Sequence, residues 1–214
     1  MTTGPLAQFA DLGPSAVSRR FAAGSTLFHT GDPSDWVALV TSGRVKIVDE
    51  TRDSREVLLA VRGPGELIGE LSAVDGEPRS ASAVAMDDVE VRLVDRAGFT
   101  AYLEAHPAAA VALLQLVVRR LRDSDRKRVE YTSHDVLGRV ARRLLELAEE
   151  YGVPTGDGVR ITLPLSQDEL AAYTASSREA VAKALRTLRD RKVVVTDRRA
   201  ITVIDVEALR MRAS

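Results

Sequence analysis

Residues Gly69–Ala83 read GELSAVDGEPRSASA. The stretch has glycine at 69 and 76, an acid at Glu70 and a lone arginine at Arg79. Small hydroxyl and alanine residues follow that arginine. Its flanks are short apolar or alternating runs. WVALV (36–40), RVKIV (44–48) and EVLLAV (56–61) precede it, and VEVRLV (89–94) follows, with turn signals TGDPSD, SG, RGPGE and VDGEP between the runs. Short apolar runs punctuated at this spacing predict an all-β sandwich or roll over 24–94. Within it, residues 69–83 form an excursion that gathers Glu70, Arg79 and Ser80. Glycine at 69 permits close backbone approach, and arginine can hold an anion through a forked, charge-assisted contact. Read from these residues alone, an anion site and a Glu70–Arg79 ion pair closing a loop remain equally open.

The texture changes at Arg96. From there to Gly152 the breakers are sparse: Gly98, Pro107 and Gly138. Val111, Leu114, Val118 and Leu121 recur at steps of three and four, with Asp125 and Val129 continuing the stripe, and predict a long amphipathic helix from about Pro107 to Tyr131. Such a stripe pairs with a second copy of itself or packs on its own β domain. A second helix, capped by Asp135, is expected to about Glu150. Ser166 with Glu169 and Ser176 with Glu179 read as two capping boxes, opening helices at about 167–173 and 177–190 around a turn at Thr174–Ser176. Leu170, Val181, Leu185 and Leu188 supply their inner faces. KVVVTDRRAITVID (192–205) then reads as two strands joined by a charged turn. Helix, turn, helix and hairpin is the order of a winged helix-turn-helix. Residues 1–20 read as a short helical lead-in.

Composition bounds the function. The hydrophobic share of 45% supports a core, and 4% aromatics make it aliphatic. Cysteine is absent, which excludes disulfides, thiol catalysis and cysteine-ligated zinc or iron–sulfur centres. No apolar run approaches the ~20 residues of a bilayer span, and no basic start with an apolar block marks a secretion signal. A cytoplasmic protein with no membrane partner is the expectation. The net charge is −1, yet residues 119–128 carry six Lys/Arg against two acids and residues 166–199 carry eight against five. Local basic faces of this kind are compatible with nucleic-acid binding. No P-loop, paired-carboxylate spacing, H-E-x-x-H or G-x-S-x-G appears, so no enzyme is expected. His29, His106 and His134 have no supporting motif for haem or metal.

FAAGSTLFHTGDPSDWVALVTSGRVKI (21–47), IGELSAVDGEPRSASAVA (68–85) and SSREAVAKALRTL (176–188) together resemble the bacterial cAMP receptor protein/FNR-type transcription regulators. The likeness covers roughly residues 5–205. It implies an α+β chain with a cyclic-nucleotide-binding β-roll (1–106), a dimerisation helix and hinge (107–134) and a winged helix-turn-helix DNA-binding domain (135–214). In the cassette it implies Gly69, Glu70, Leu71, Arg79 and Ser80 as ligand residues. Arg79 and Ser80 would take the phosphate with a backbone nest, and Glu70 the ribose 2′-hydroxyl. Ser124 and Asp125 fall where the family reads the base, and Asp125 departs from the usual small polar residue. The implied DNA-binding set is Ser166, Gln167, Ser176, Ser177, Arg178, Glu179 and Lys183. Arg178 can pair with guanine and Glu179 can accept from cytosine. Lys183 replaces an arginine, and Ala175 replaces a glycine in the turn. Asp135 and Gly138 are the implied hinge. The effector would be cAMP or another cyclic nucleotide, with no metal, and the partners double-stranded DNA, a second copy and RNA polymerase. The alternative is a constitutive or protein-regulated DNA binder with a degenerate effector pocket.

Overall fold

The computed structural model describes residues 9, 12–50, 56–133, 135–163, 165–197 and 200–213, with side chains of 127–133 outside the description. The chain divides into two compact units, 1–123 and 124–214.

The first unit holds two four-stranded antiparallel sheets. One orders β1 (Val17–Phe21), β8 (Val89–Asp95), β3 (Trp36–Ser42) and β6 (Leu67–Ile68). The other orders β2 (Thr26–Phe28), β7 (Ser82–Ala85), β4 (Val45–Glu50) and β5 (Glu56–Arg62). The period-two alternation places these strands. On β3, Ala38 and Val40 face a core shared with Leu27, Val45, Ala83, Ala85, Val89 and Val91. Val37 and Leu39 point the other way. They pack with Phe99 of α2 (Arg96–Ala105) and with Ala109, Ala112, Leu113 and Leu116 of α3 (Pro107–Ser133). The central strand is therefore buried on both faces, which explains the unbroken apolar run WVALV. The cassette contains a short helix, α1 (Glu70–Asp75), closed by left-handed glycines at both ends.

Residues 17–20 form part of strand β1, in register with β8 from Val17↔Leu93 to Phe21↔Val89, which corrects the helical lead-in expected there. The pairing is non-local, so no local pattern announces it. Residues 1–8, 10 and 11 lie outside the described residues.

The second unit is built on α4 (Val136–Tyr151), α5 (Gln167–Tyr173), α6 (Arg178–Asp190) and α7 (Val206–Ala213), with a sheet ordered β11 (Val194–Asp197), β12 (Ala200–Val203), β10 (Gly158–Ile161) and β9 (Gly152–Thr155). Asp135 caps α4, accepting from the Gly138 N–H at 2.7 Å. Ser166 and Glu169 form a full capping box on α5. Leu170, Val181, Leu185 and Leu188 are buried as their spacing predicts. At α6 the expected Ser176–Glu179 box is replaced. Ser177 is the cap, accepting from Ala180 N–H at 3.2 Å. The Ser176 hydroxyl instead donates to the Thr174 carbonyl at 3.0 Å. Ala175 sits at φ 46°, and this left-handed turn moves the helix start one residue along.

Candidate functional site

The cassette brings two buried charges close together. Glu70 and Arg79 are each 2% exposed. The Arg79 backbone is stitched to the loop before β3: its N–H donates to Asp32 O at 2.9 Å, and its carbonyl accepts from Gly31 N–H at 2.8 Å. Its guanidinium donates to Gly69 O at 2.8 Å and to Trp36 O at 2.7 Å. It also lies 4.4 Å and 4.6 Å from the ring centroids of Phe28 and Trp36. Burial pushes the Arg79 pKa below its ordinary value, opposed by Asp35, Glu70 and Asp32 in that order. Gly69 is at φ 76°, and a Cβ there would meet the Arg79 guanidinium. Glycine is thus required twice, by backbone angle and by space.

Glu70 does not pair with Arg79. Its Oε1 is taken by Arg120 from α3, and Arg120 also donates to Leu67 O at 2.9 Å. The Arg120 pKa is likewise lowered by burial, with Glu70 the largest opposing charge. The loop-closing pair allowed by the sequence is therefore replaced by a contact from the cassette to the long helix. The other Glu70 oxygen is free of that bond and can accept from a hydroxyl. Leu71 is 41% exposed and Ser80 is exposed. Among the described residues, the buried side-chain N and O atoms without a partner are Ser34 Oγ, Arg79 Nε and Arg120 Nε. Such orphans are rare in folded proteins and call for a cause.

Sequence reasoning missed Arg120, Phe28 and Trp36. Arg120 was legible: it continues the inward positions Leu113 and Leu116 at helical spacing and so belongs to the buried face. The aromatic pair carried no local signal, because β2 and β3 meet Arg79 only through the fold.

On α3, Ser124 and Asp125 are exposed. The outward stripe Val111, Leu114, Val118 and Leu121 is 55%, 64%, 38% and 61% exposed, while Ala109, Ala112, Leu113 and Leu116 are buried in the first unit. The helix thus has two apolar faces, and its own β domain covers one of them. Val129 lies where side chains are outside the description.

The second unit presents the other candidate face. Gln167, Ser177, Arg178, Glu179 and Lys183 are exposed at or near the N-terminal ends of α5 and α6. Arg178 lies 3.4 Å from Asp168, an exposed pair of little energetic weight. Glu179 has its pKa lowered first by its own backbone N–H, then by the Ser177 hydroxyl and Arg178, so it is an ionised acceptor at neutral pH. Two of the expected contacts are otherwise engaged. The Ser166 hydroxyl is bonded within its capping box. Ser176 Oγ accepts from Arg139 at 3.0 Å besides donating to Thr174 O. Asp135 joins its cap to an ion pair with Arg212 of α7 at 2.5 Å. Its pKa is lowered chiefly by the Gly138 N–H, with Arg212 adding to the effect. Gly138 is buried. Among the described residues, no cluster of His, Asp and Glu is placed to hold a metal, and no single helix is long and apolar enough to cross a membrane.

Comparison with known proteins identifies both domains. Residues 18–106 match the cyclic nucleotide-binding domain, and residues 138–212 match the Crp-like helix-turn-helix domain. The chain is 36% identical over 193 residues to a "CRP-like cAMP-activated global transcriptional regulator" of Mycobacterium tuberculosis, covering 90% of this chain and 86% of the relative. It is 35% identical over 185 residues to the "Cyclic AMP receptor protein" of Thermus thermophilus, covering 86% and 82%. Among solved structures, it is similar to the c-di-GMP responsive regulator CLP of Xanthomonas campestris, with a TM-score of 0.81, 25% identity and coverage of 94% and 98%. A CRP-family transcriptional regulator of Thermus thermophilus gives 0.77, 28% identity and coverage of 91% and 96%. With a cyclic nucleotide-binding β-roll, a long helix and a helix-turn-helix in one chain, the protein is a DNA-binding transcription regulator, not an enzyme, and belongs to the cAMP receptor protein/FNR-type family.

Proposed function

We propose that the protein is a homodimeric regulator gated by a cyclic nucleotide, with cAMP the favoured effector, and that it reads a palindromic site. The observation that carries this reading is the Arg120–Glu70 contact. It ties the cassette to the helix whose opposite face presents an apolar stripe. In this reading the effector's phosphate meets Arg79 and Ser80, its ribose hydroxyl meets the second Glu70 oxygen, and Gly69 and Leu71 line its approach. A pull on Glu70 is transmitted through Arg120 to α3. Two copies pair along Val111, Leu114, Val118 and Leu121. Ser124 and Asp125, further along the same helix, face the base. The names of similar regulators divide between cAMP and c-di-GMP, so the fold alone does not choose the effector, and the Asp125 carboxylate favours a base that offers an amino donor.

The dimer sets two α6 helices at a spacing of about 34 Å for successive major grooves. Arg178, Glu179 and Lys183 then read base edges, and Gln167 and Ser177 approach phosphates. Asp135 and Gly138 form the hinge between units. The site is cytoplasmic DNA, and RNA polymerase is the further partner. The ligand shifts the DNA-binding equilibrium only if its affinity differs between the two dimer arrangements.

The test is fluorescence anisotropy of a labelled TGTGA-type palindromic duplex titrated with protein at fixed salt. It is run without nucleotide, with cAMP and with cGMP, beside a scrambled duplex. Specific affinity that rises with one nucleotide supports the reading and names the effector. Specific binding indifferent to every nucleotide overturns the gating and leaves a constitutive reader.

A further inference from the structure

Arg79 is the phosphate ligand in the reading above, yet its guanidinium is withdrawn. It is 2% exposed, bonded to two backbone carbonyls and seated against two aromatic rings. In this conformation an anion cannot reach it. Phe28 and Trp36 meet edge to face, 5.4 Å between centroids, and both pack against the inter-sheet core. The seat is therefore anchored to that core, and the desolvated cation gains from both rings. The orphan Nε of the same group shows that the seat leaves the guanidinium incompletely satisfied. The withdrawn conformation is held mainly by the carbonyls and rings and is open to competition from an anion that satisfies all its donors.

We propose that Phe28 and Trp36 form an aromatic latch that keeps Arg79 withdrawn, so that Trp36 sets the affinity of the cassette for its anionic effector. The proposal rests on Arg79 being the effector's phosphate ligand. A binding site whose competent conformer is a minor one has its apparent affinity reduced by that fraction. Weakening the latch returns the lost affinity. Substituting Trp36 leaves its backbone carbonyl in place, so the change isolates the ring.

The experiment measures cAMP binding by isothermal titration calorimetry for the wild-type full-length protein, Trp36→Leu and Trp36→Phe. The prediction is about tenfold tighter binding for Trp36→Leu, equivalent to ~1.4 kcal/mol, with Trp36→Phe near wild type because a ring remains. A merely structural role would weaken binding in both. Trp36 is the sole tryptophan, so its emission reports the latch without any variant. It should change on saturation with cAMP, and Arg79→Met should produce a comparable change without nucleotide. Equal or weaker binding by Trp36→Leu, with emission unmoved by cAMP in a wild-type protein that binds it, overturns the latch. If neither wild type nor Trp36→Leu binds cAMP or cGMP, the effector reading fails instead. The seat is then judged on the nucleotide-free comparison: identical emission from wild type and Arg79→Met overturns it.

Discussion

Replacing Arg120 by methionine should destabilise the first unit by about 3 kcal/mol. The side chain of Glu70 is 3% exposed and that of Arg120 is 20% exposed. Removing one partner of a buried pair leaves the other charge without compensation and costs roughly 3–5 kcal/mol. Arg120 has partial access to water, which places the change at the lower end of that range. Methionine keeps most of the aliphatic bulk, so little of the loss is packing. The carbonyl of Leu67 also loses a donor, since Arg120 bonds it at 2.9 Å. The double variant Glu70→Gln/Arg120→Met removes both charges and should fall within ~1 kcal/mol of wild type, because a neutral isosteric pair carries no desolvated charge. The assay is urea unfolding followed by Trp36 emission. This probe lies in the first unit and so avoids treating two units as one transition. A loss under ~1 kcal/mol for Arg120→Met, or single-variant effects that simply add in the double variant, would refute the pair's role.

Three further outcomes can be checked separately. Ala175→Gly relieves a left-handed alanine at φ 46°; the relief of ~1–2 kcal/mol exceeds the entropy glycine adds to the unfolded chain, leaving about 0.5 kcal/mol and a melting point ~3 °C higher by scanning calorimetry. Arg178→Ala should cost on the order of 1–3 kcal/mol for the specific duplex and relax one base preference, read by anisotropy on single-base variants of the site; unchanged discrimination would remove Arg178 from the reading face. Asp135→Asn keeps a capping oxygen but loses the charge facing Arg212. Because the Asp135 pKa is lowered in the folded protein, its charge stabilises above the unfolded value of about 3.9, and that stability is lost as pH falls through the lower folded value. The variant should therefore trail wild type by ~0.5 kcal/mol at neutral pH and match it in strong acid, by urea unfolding across pH.

The parts legible in the sequence are those that local chemistry dictates. Asp135 and the Ser166–Glu169 box mark helix starts because the side chain and the backbone group it satisfies lie within three residues. Strands β2 to β5, β7 and β8 were legible as short apolar or alternating runs, and the α6 face from the spacing of Val181, Leu185 and Leu188. What was not legible depends on partners distant in the chain. Strand β1 is made by its register with β8, some seventy residues on. At α6 the spacing pointed to Ser176 with Glu179, and the left-handed conformation of Ala175 moves the cap to Ser177. The cassette shows the same division. Its residue types left an anion site and a Glu70–Arg79 pair equally open, and the fold makes no such pair: Glu70 goes to Arg120, and Arg79 to two carbonyls and two rings.

That division has a mechanical consequence. Successive residues on a helix are rotated by roughly 100°, so Arg120 and Leu121 lie on different faces of α3. The structure places Arg120 against Glu70 and leaves Leu121, with Val111, Leu114 and Val118, outward and apolar. A rotation of α3 that follows Glu70 would move the outward stripe with it, because the helix backbone is stiff over this one-residue step. A second copy packed on that stripe feels the rotation as a change in which side chains interdigitate, and packed interfaces of this kind switch between discrete arrangements instead of sliding. The buried ion pair is costly to hold dry. If the proposed effector meets Glu70, the pair would carry a change at that contact to the outward face of α3.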